Sequence, residues 1–482
     1  MLRLPNPHLQ VKHDASFLAL AGCHGAAPGC VNLAPDYQRP EAPVSSQWLP
    51  ATASQPVASG SVPTDIDWQN FFTDKRLIRL QTLALVNNRD LRLASLNVEK
   101  AQAQYRIERA ASLPTIDASG SGTHTRTPSS TSMTGKSSIS HEYSAQLGLS
   151  SYELDVFGRI QNLQDEALED YLALTETRRS TQISLIAEVA TGWLTLAADN
   201  QLLKLAEDTL ASQQQSYDLT RSSHALGGSS GLEVAQAQTT VESARGDVAQ
   251  YKSQILQDRN ALRLLVGSDL PEELLPTADV PSVAQLVQVP DELPSSLLQR
   301  RPDVLSAEHS LKAANIDIGA ARAAFFPSIT LTANAGSAST SLSGLFTSGS
   351  GSWSFAPSIS VPIFDGGSNR ATLDSAKVEN QIQIQTYQQT IQTAFKEVAD
   401  ALAVRSTLDE RVAAQQAYTD ASRKSYELAD ALYRGGSQSY LEALESQRSL
   451  YSAEQELISL RLTEQSNRVT LYKVMGGGWN PG

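Results

Sequence analysis

The chain carries two copies of one unit. Displaced by 213 positions, residues 87–116 lie over 300–329 without a gap, and Asp90/Asp303, Ala94/Ala307, Ala101/Ala314, Arg109/Arg322, Ala110/Ala323, Ala111/Ala324, Pro114/Pro327 and Ile116/Ile329 coincide. Displaced by 209, residues 217–244 lie over 426–453, with Tyr217/Tyr426, Leu219/Leu428, Gly227/Gly436, Ser230/Ser439, Leu232/Leu441, Glu233/Glu442, Gln238/Gln447, Ser243/Ser452 and Ala244/Ala453 matched. Alanine recurs in any helix, but proline, glycine, tyrosine and arginine in register point to duplication. Whatever the chain folds into must be buildable twice over.

Each copy has the same order of elements. A helical stretch (77–112, then 295–325) is stopped by Pro114 or Pro327. Two strand-like segments follow, 115–125 and 141–154 in the first copy, 328–337 and 352–364 in the second. Tyr143, Ala145, Leu147 and Leu149 alternate with Ser144, Gln146 and Gly148, the period-two pattern of a two-faced strand. Polar loops, 126–140 and 338–351, join each pair. Then come Arg159–Ala225 and Ser368–Arg434, 67 residues each without a proline, which as helices would each span ~100 Å. Ile183, Ile186, Ala190, Trp193 and Ala197 recur at three-four spacing, a coiled-coil seam. After a Gly/Ser turn (Gly227-Gly228-Ser229-Ser230-Gly231; Gly435-Gly436-Ser437) shorter helices return over 232–266 and 438–474. Two helices of about 35 residues match one of 67 in length. Repeat 1 is placed at 67–266 and repeat 2 at 295–475, with the five prolines of 267–294 marking a linker and 476–482 a tail.

Composition narrows the function. A formal net charge of -13 argues against a nucleic-acid face. No run of 18 apolar residues is present, so a spanning helix is not expected. Cys23 and Cys30 are the only cysteines, and the seven histidines include no pair at i,i+3 or i,i+4. No nucleophile–base pair, phosphate loop or metal set is in view. The chain reads as a non-enzyme with no cofactor and no catalytic residues.

The N-terminus has Arg3 and Lys12, then the apolar Phe17-Leu18-Ala19-Leu20-Ala21-Gly22 before Cys23, the grammar of a secretory signal over 1–30. Leu20-Ala21-Gly22-Cys23 resembles a bacterial lipobox, and Cys30 is a rival acceptor. Six prolines in 31–66 make that stretch an extended strap. If the four strands lie in an outer membrane they cannot span it alone. Bare edges in hydrocarbon leave unpaired amides, and bacterial barrels begin at eight strands. Two chains would give eight strands and three would give twelve. Trp353 and Phe355 suit an aromatic girdle.

Several segments together resemble the TolC-like outer-membrane efflux proteins, in the NodT-type lipoprotein branch that serves resistance-nodulation-division (RND) pumps. They are Pro35-Asp36-Tyr37-Gln38-Arg39-Pro40 with Trp48; Asp67-Trp68-Gln69-Asn70-Phe71-Phe72; Glu153-Leu154-Asp155-Val156-Phe157-Gly158-Arg159; Arg300-Arg301-Pro302-Asp303-Val304; Ala320-Ala321-Arg322-Ala323-Ala324-Phe325-Phe326-Pro327; and Val361-Pro362-Ile363-Phe364-Asp365-Gly366-Gly367. The resemblance covers roughly 33–475 and implies a mainly α chain with membrane β. It implies a homotrimer: a shared 12-stranded β-barrel in the outer membrane, lipid-anchored at Cys23 or Cys30, on a trimeric α-barrel through the periplasm with an equatorial belt. The implied partners are a periplasmic adaptor (membrane fusion) protein, an inner-membrane RND pump and outer-membrane lipid.

The resemblance also implies sites. Asp155, Phe157, Gly158, Arg159, Pro362, Phe364, Asp365, Gly366 and Gly367 would mark the strand–helix junctions. Glu442 and Glu445, on one helix face, would ring the pore gate with Tyr433 and Arg434 beside them. The first copy has Glu233 and Gln236 there. Gly227, Gly228, Ser229, Gly435, Gly436 and Ser437 would form the adaptor-contact tips. Two other readings stand beside the drug or small-molecule efflux duct: an outer-membrane duct for type I protein secretion, and a non-pore periplasmic coiled-coil protein.

Overall fold

The computed structural model describes residues 31–45, 67–278, 284 and 295–477; Cys23, Cys30 and Trp48 lie outside them. The first repeat runs α1 (Trp68–Phe71), α2 (Lys75–Asn87), α3 (Arg89–Ala110), β1 (Ile116–Thr127), β2 (Ser138–Leu154), α4 (Arg159–Ala225) and α5 (Gly231–Val266). The second runs α6 (Pro302–Ala323), β3 (Ser328–Ser339), β4 (Gly351–Ser360), α7 (Ser368–Arg434) and α8 (Tyr440–Val474). The two long helices have the expected bounds. Among the described residues no helix is long and apolar enough to cross a membrane.

Three expectations are corrected. The single helix over 77–112 is two, broken at Asn88, whose ψ of 133° leaves the helical region. Asn88 serves both pieces: its N–H donates to Ala84 O at 2.8 Å, and its Oδ1 accepts from the Leu91 N–H at 2.9 Å. In the second repeat, a 3-10 turn (Ser295–Arg300) precedes the α-helix, which begins with Pro302 in its first turn, where a missing N–H costs nothing. The strand expected over 352–364 ends at Ser360, before Pro362, which cannot donate to a ladder. The linker expectation is not overturned, and its described part also packs on the core: Leu274 and Leu275 are buried, and the Trp193 indole donates to Leu274 O at 3.0 Å.

The strands of both repeats join in one antiparallel sheet of order β1-β2-β3-β4. The β2–β3 seam, from Tyr143↔Ser339 to Leu154↔Ile329, unites the copies and is interrupted by a bulge between Leu149 and Tyr152. In the helical body α4 packs on α3, α5 and α6, while α7 packs on α6 and α8. Each 67-residue helix is thus flanked by shorter ones. The main core lies partway along, where Phe71, Phe72, Leu77, Leu80, Trp193, Tyr387, Ile391 and Tyr472 are buried together. Phe71 stacks on Tyr472 at 4.1 Å. Asp67 starts this segment by accepting from the Gln69 N–H at 2.8 Å, an N-cap that turns Phe71 and Phe72 inward.

Candidate functional site

The register sorts the sheet into two faces. On one lie Ile116, Leu147, Leu149, Ala333, Ala335, Trp353, Phe355 and Ile359; on the other Ser119, Ser121, Gln146, Ser144, Asn334, Thr332, Ser354 and Ser358. The apolar face is open: Ile116 is 75%, Trp353 79% and Phe355 60% exposed. Among the described residues β1 and β4 are the sheet's edges, each paired on one side only. One apolar face, one polar face and two unpaired edges suit a wall between lipid and water that is completed by other strands.

Below the sheet, both junctions use the same device. Gly158 (φ 73°) and Gly367 (φ 90°) occupy the N-cap positions of α4 and α7 in the left-handed region, which glycine enters without the Cβ clash. A nearby carboxylate accepts from the new helix: Asp155 from the Gln161 N–H at 2.7 Å, Asp365 from the Gly367 and Asn369 N–H groups at 2.8 and 2.7 Å. Those backbone donors hold the Asp365 carboxyl below its ordinary range. Arg159 forks onto Glu153 at 2.9 and 2.7 Å, and Phe157 stacks on Phe326 at 4.6 Å. Phe364 and Pro362 lie exposed on the other junction.

At the far end, both hairpins turn through Schellman motifs. Gly227 N–H donates to His224 O and Gly228 N–H to Ser223 O; Gly436 N–H donates to Tyr433 O and Ser437 N–H to Leu432 O. Gly227 (φ 80°) and Gly436 (φ 70°) are the left-handed residues. Gly435, by contrast, is right-handed at φ -79°, and Ser229 Oγ bonds Ser223 Oγ at 2.7 Å.

The tips differ in one respect. Ser230 and Glu233 form a reciprocal capping box, with Glu233 Oε2 accepting from the Ser230 N–H at 2.8 Å. The equivalent Ser439 makes no side-chain cap, and Glu442 and Glu445 are exposed. Tyr433 shares a 2.9 Å hydrogen bond with Thr220 of α4, and Tyr426 one of 3.2 Å with Ser212. Arg434 pairs with Asp430 of its own helix at 2.8 Å.

Two anchors pair residues that no sequence pattern connects. Residues 31–45 lie along α6: Arg322 donates to Leu33 O and Asn315 to Pro35 O. Arg39 then forks onto the buried Glu308 at 2.8 Å, joined by the Tyr37 hydroxyl at 3.3 Å. The second anchor is Arg301, which pairs with Asp303 and Glu397 and donates to Val474 O at 2.7 Å. Carboxyls also crowd between helices. Burial pushes Glu166 up to about 7, helped by Asp317, Asp170 and Glu108. Burial does the same for Asp199, also to about 7, helped by the Asp258 carboxylate, which accepts a hydrogen bond from the protonated Asp199 and repels its charged form.

A two-faced sheet with open edges, set on paired 67-residue helices, defines an outer-membrane efflux channel of the TolC-like fold. The family model for outer membrane efflux proteins matches residues 80–268 and 293–477, and the chain belongs to that family. It is 49% identical over 465 residues to the toluene efflux pump outer membrane protein TtgC of Pseudomonas putida, covering 96% of both chains. It is 41% identical over 464 residues to the cation efflux system protein CusC of Escherichia coli, covering 96% of this chain and 97% of CusC. The crystal structure of the open state of the Neisseria gonorrhoeae MtrE outer membrane channel superposes with a TM-score of 0.84 at 38% identity, over 93% of this chain and 98% of that one.

Proposed function

We propose that three copies of this chain close their sheets into one twelve-stranded barrel and their helices into a periplasmic duct, the passive exit of an RND-type tripartite system. The observation that carries this is the sheet: four strands with an exposed apolar face and two open edges. Such a sheet alone would leave edge amides unpaired in hydrocarbon, at several kcal/mol each. The hairpin tips at Gly227–Ser229 and Gly435–Ser437 present the surface for a periplasmic adaptor, through which an inner-membrane pump would be coupled. TtgC and CusC are named for toluene and for cations, so we assign the choice of small-molecule cargo to the pump. The efflux reading is preferred to protein secretion because those relatives are efflux proteins. The paired strands disfavour a non-pore coiled coil.

Glu442 and Glu445 form the gate in this reading. Three copies place six carboxylates around a narrow lumen, where they repel one another and attract cations. Glu442 is free for this role because its capping box is not made, unlike that of Glu233. Lipidation belongs to Cys23 or Cys30. Val31 N–H donates to Val156 O at 3.1 Å beside the strand–helix junction, which favours Cys30, its direct neighbour. The test is planar-bilayer conductance of the purified channel. Glu442→Ala with Glu445→Ala should raise ionic conductance and weaken block by multivalent cations; unchanged conductance and block would remove both residues from the gate.

A further inference from the structure

His124 and His141 are 17 positions apart in sequence and directly opposite one another on β1 and β2. Their rings meet edge to face with centroids 4.6 Å apart, and the two Nδ1 atoms are in hydrogen-bond contact. Both side chains are exposed. The Tyr143 hydroxyl lies 3.4 Å from His124 Nε2 on the same face. A hydrogen on Nε2 donated to that oxygen leaves the Nδ1 lone pair of His124 bare. This is how an outer partner commonly fixes the tautomer of a metal-ligating histidine.

We propose that His124 and His141 hold a divalent transition-metal ion of the Zn(II) class at the outer end of the β1–β2 hairpin, one site per chain. Imidazole nitrogen bonds Zn(II) at ~2.0–2.1 Å, so two ligands of a tetrahedral ion stand about 3.4 Å apart. The Nδ1 atoms need only swing apart slightly, and both imidazoles are exposed. In the metal-free pair one Nδ1 must carry a hydrogen to bond the other. On binding, the His141 hydrogen moves through water to its own exposed Nε2, so no net proton is lost. Water fills the remaining positions.

The site is placed for access. His124 lies eight residues beyond Ile116 on β1, roughly 20 Å along the barrel axis at the usual rise and tilt. That puts it near the outer rim of the apolar band. Arg126, two residues further on the same face, moderates affinity without blocking approach, because its long side chain is exposed. An ion here staples the two strands next to the outer loop 128–137. The histidines belong to one chain, so the site does not depend on how many chains assemble.

The test is Zn(II) binding to the full-length, tag-free protein in detergent, by equilibrium dialysis and calorimetry. Wild type should retain one Zn(II) per chain that His124→Ala and His141→Ala each lose, with Tyr143→Phe weakening binding about 10-fold. Zn(II) should also raise the melting temperature of wild type and leave that of His124→Gln unmoved. The proposal is overturned if wild type retains no Zn(II), or if the alanine variants retain as much. Channel conductance of the variants should match wild type, so the site stands or falls apart from the export reading.

Discussion

Arg301 joins three helices, and its loss should be felt at the end of one of them. Its guanidinium bonds Asp303 twice at 3.0 and 2.7 Å, Glu397 of α7 at 2.8 Å and Val474 O of α8 at 2.7 Å. Hydrogen bonds to charged groups contribute about 1.5–3 kcal/mol each, but these will not add. The Asp303 and Glu397 side chains are 34% and 42% exposed and regain water when the arginine is removed. The bond to Val474 O is buried and is the one solvent replaces least well. Arg301→Met also removes the desolvation cost of a buried cation. We therefore expect a local loss of about 3 kcal/mol, which at ~1.4 kcal/mol per tenfold is roughly 100-fold faster amide hydrogen exchange over Leu471–Val474. Arg301→Lys keeps a charge without the fork and should fall between. Exchange rates in Arg301→Met equal to wild type would refute the reasoning.

Other outcomes follow from single positions. A Cβ on Gly336 would sit 2.1 Å from Ala145 O and 2.6 Å from Gln146 Cα, so Gly336→Val should abolish channel assembly in outer-membrane fractions. Gly351→Ala, with nothing within 4 Å of its Cβ, should assemble normally. Glu166 is pushed up to about 7 from 4.5, so the folded state binds the proton more tightly than the unfolded chain. The stability it subtracts is absent below about 4.5 and grows as pH rises to about 7. Glu166→Gln should raise the melting temperature above pH 7 and flatten its pH dependence; an unaltered melting profile from pH 5 to 8 would contradict the shift.

What was legible in the sequence was local and periodic. Proline at 114 and 327, alternation in 141–154 and the unbroken run 159–225 each report on their own neighbours in the chain, and these elements stand where expected. The break at Asn88 escaped because asparagine in a helix-length pattern carries no stop as strong as proline. The two anchors escaped for another reason. Arg39 meets Glu308 across 269 positions, and Arg301 meets Val474 across 173. Nothing in either segment names its partner, though the motifs around Tyr37-Gln38-Arg39 and Arg301-Pro302-Asp303 were visible as motifs. The histidine pair has no helical spacing to mark it, because His124 and His141 converge through strand register. At the tips, Ser230/Glu233 and Ser439/Glu442 are the same pattern twice, yet only the first closes its capping box.

The open-edged sheet is the centre of the proposed channel, and assembly state tests it most directly. The native mass of the protein extracted in detergent from purified outer membranes should correspond to three chains, and deletion of 328–364 should abolish that complex. A soluble periplasmic monomer or dimer would contradict the shared barrel.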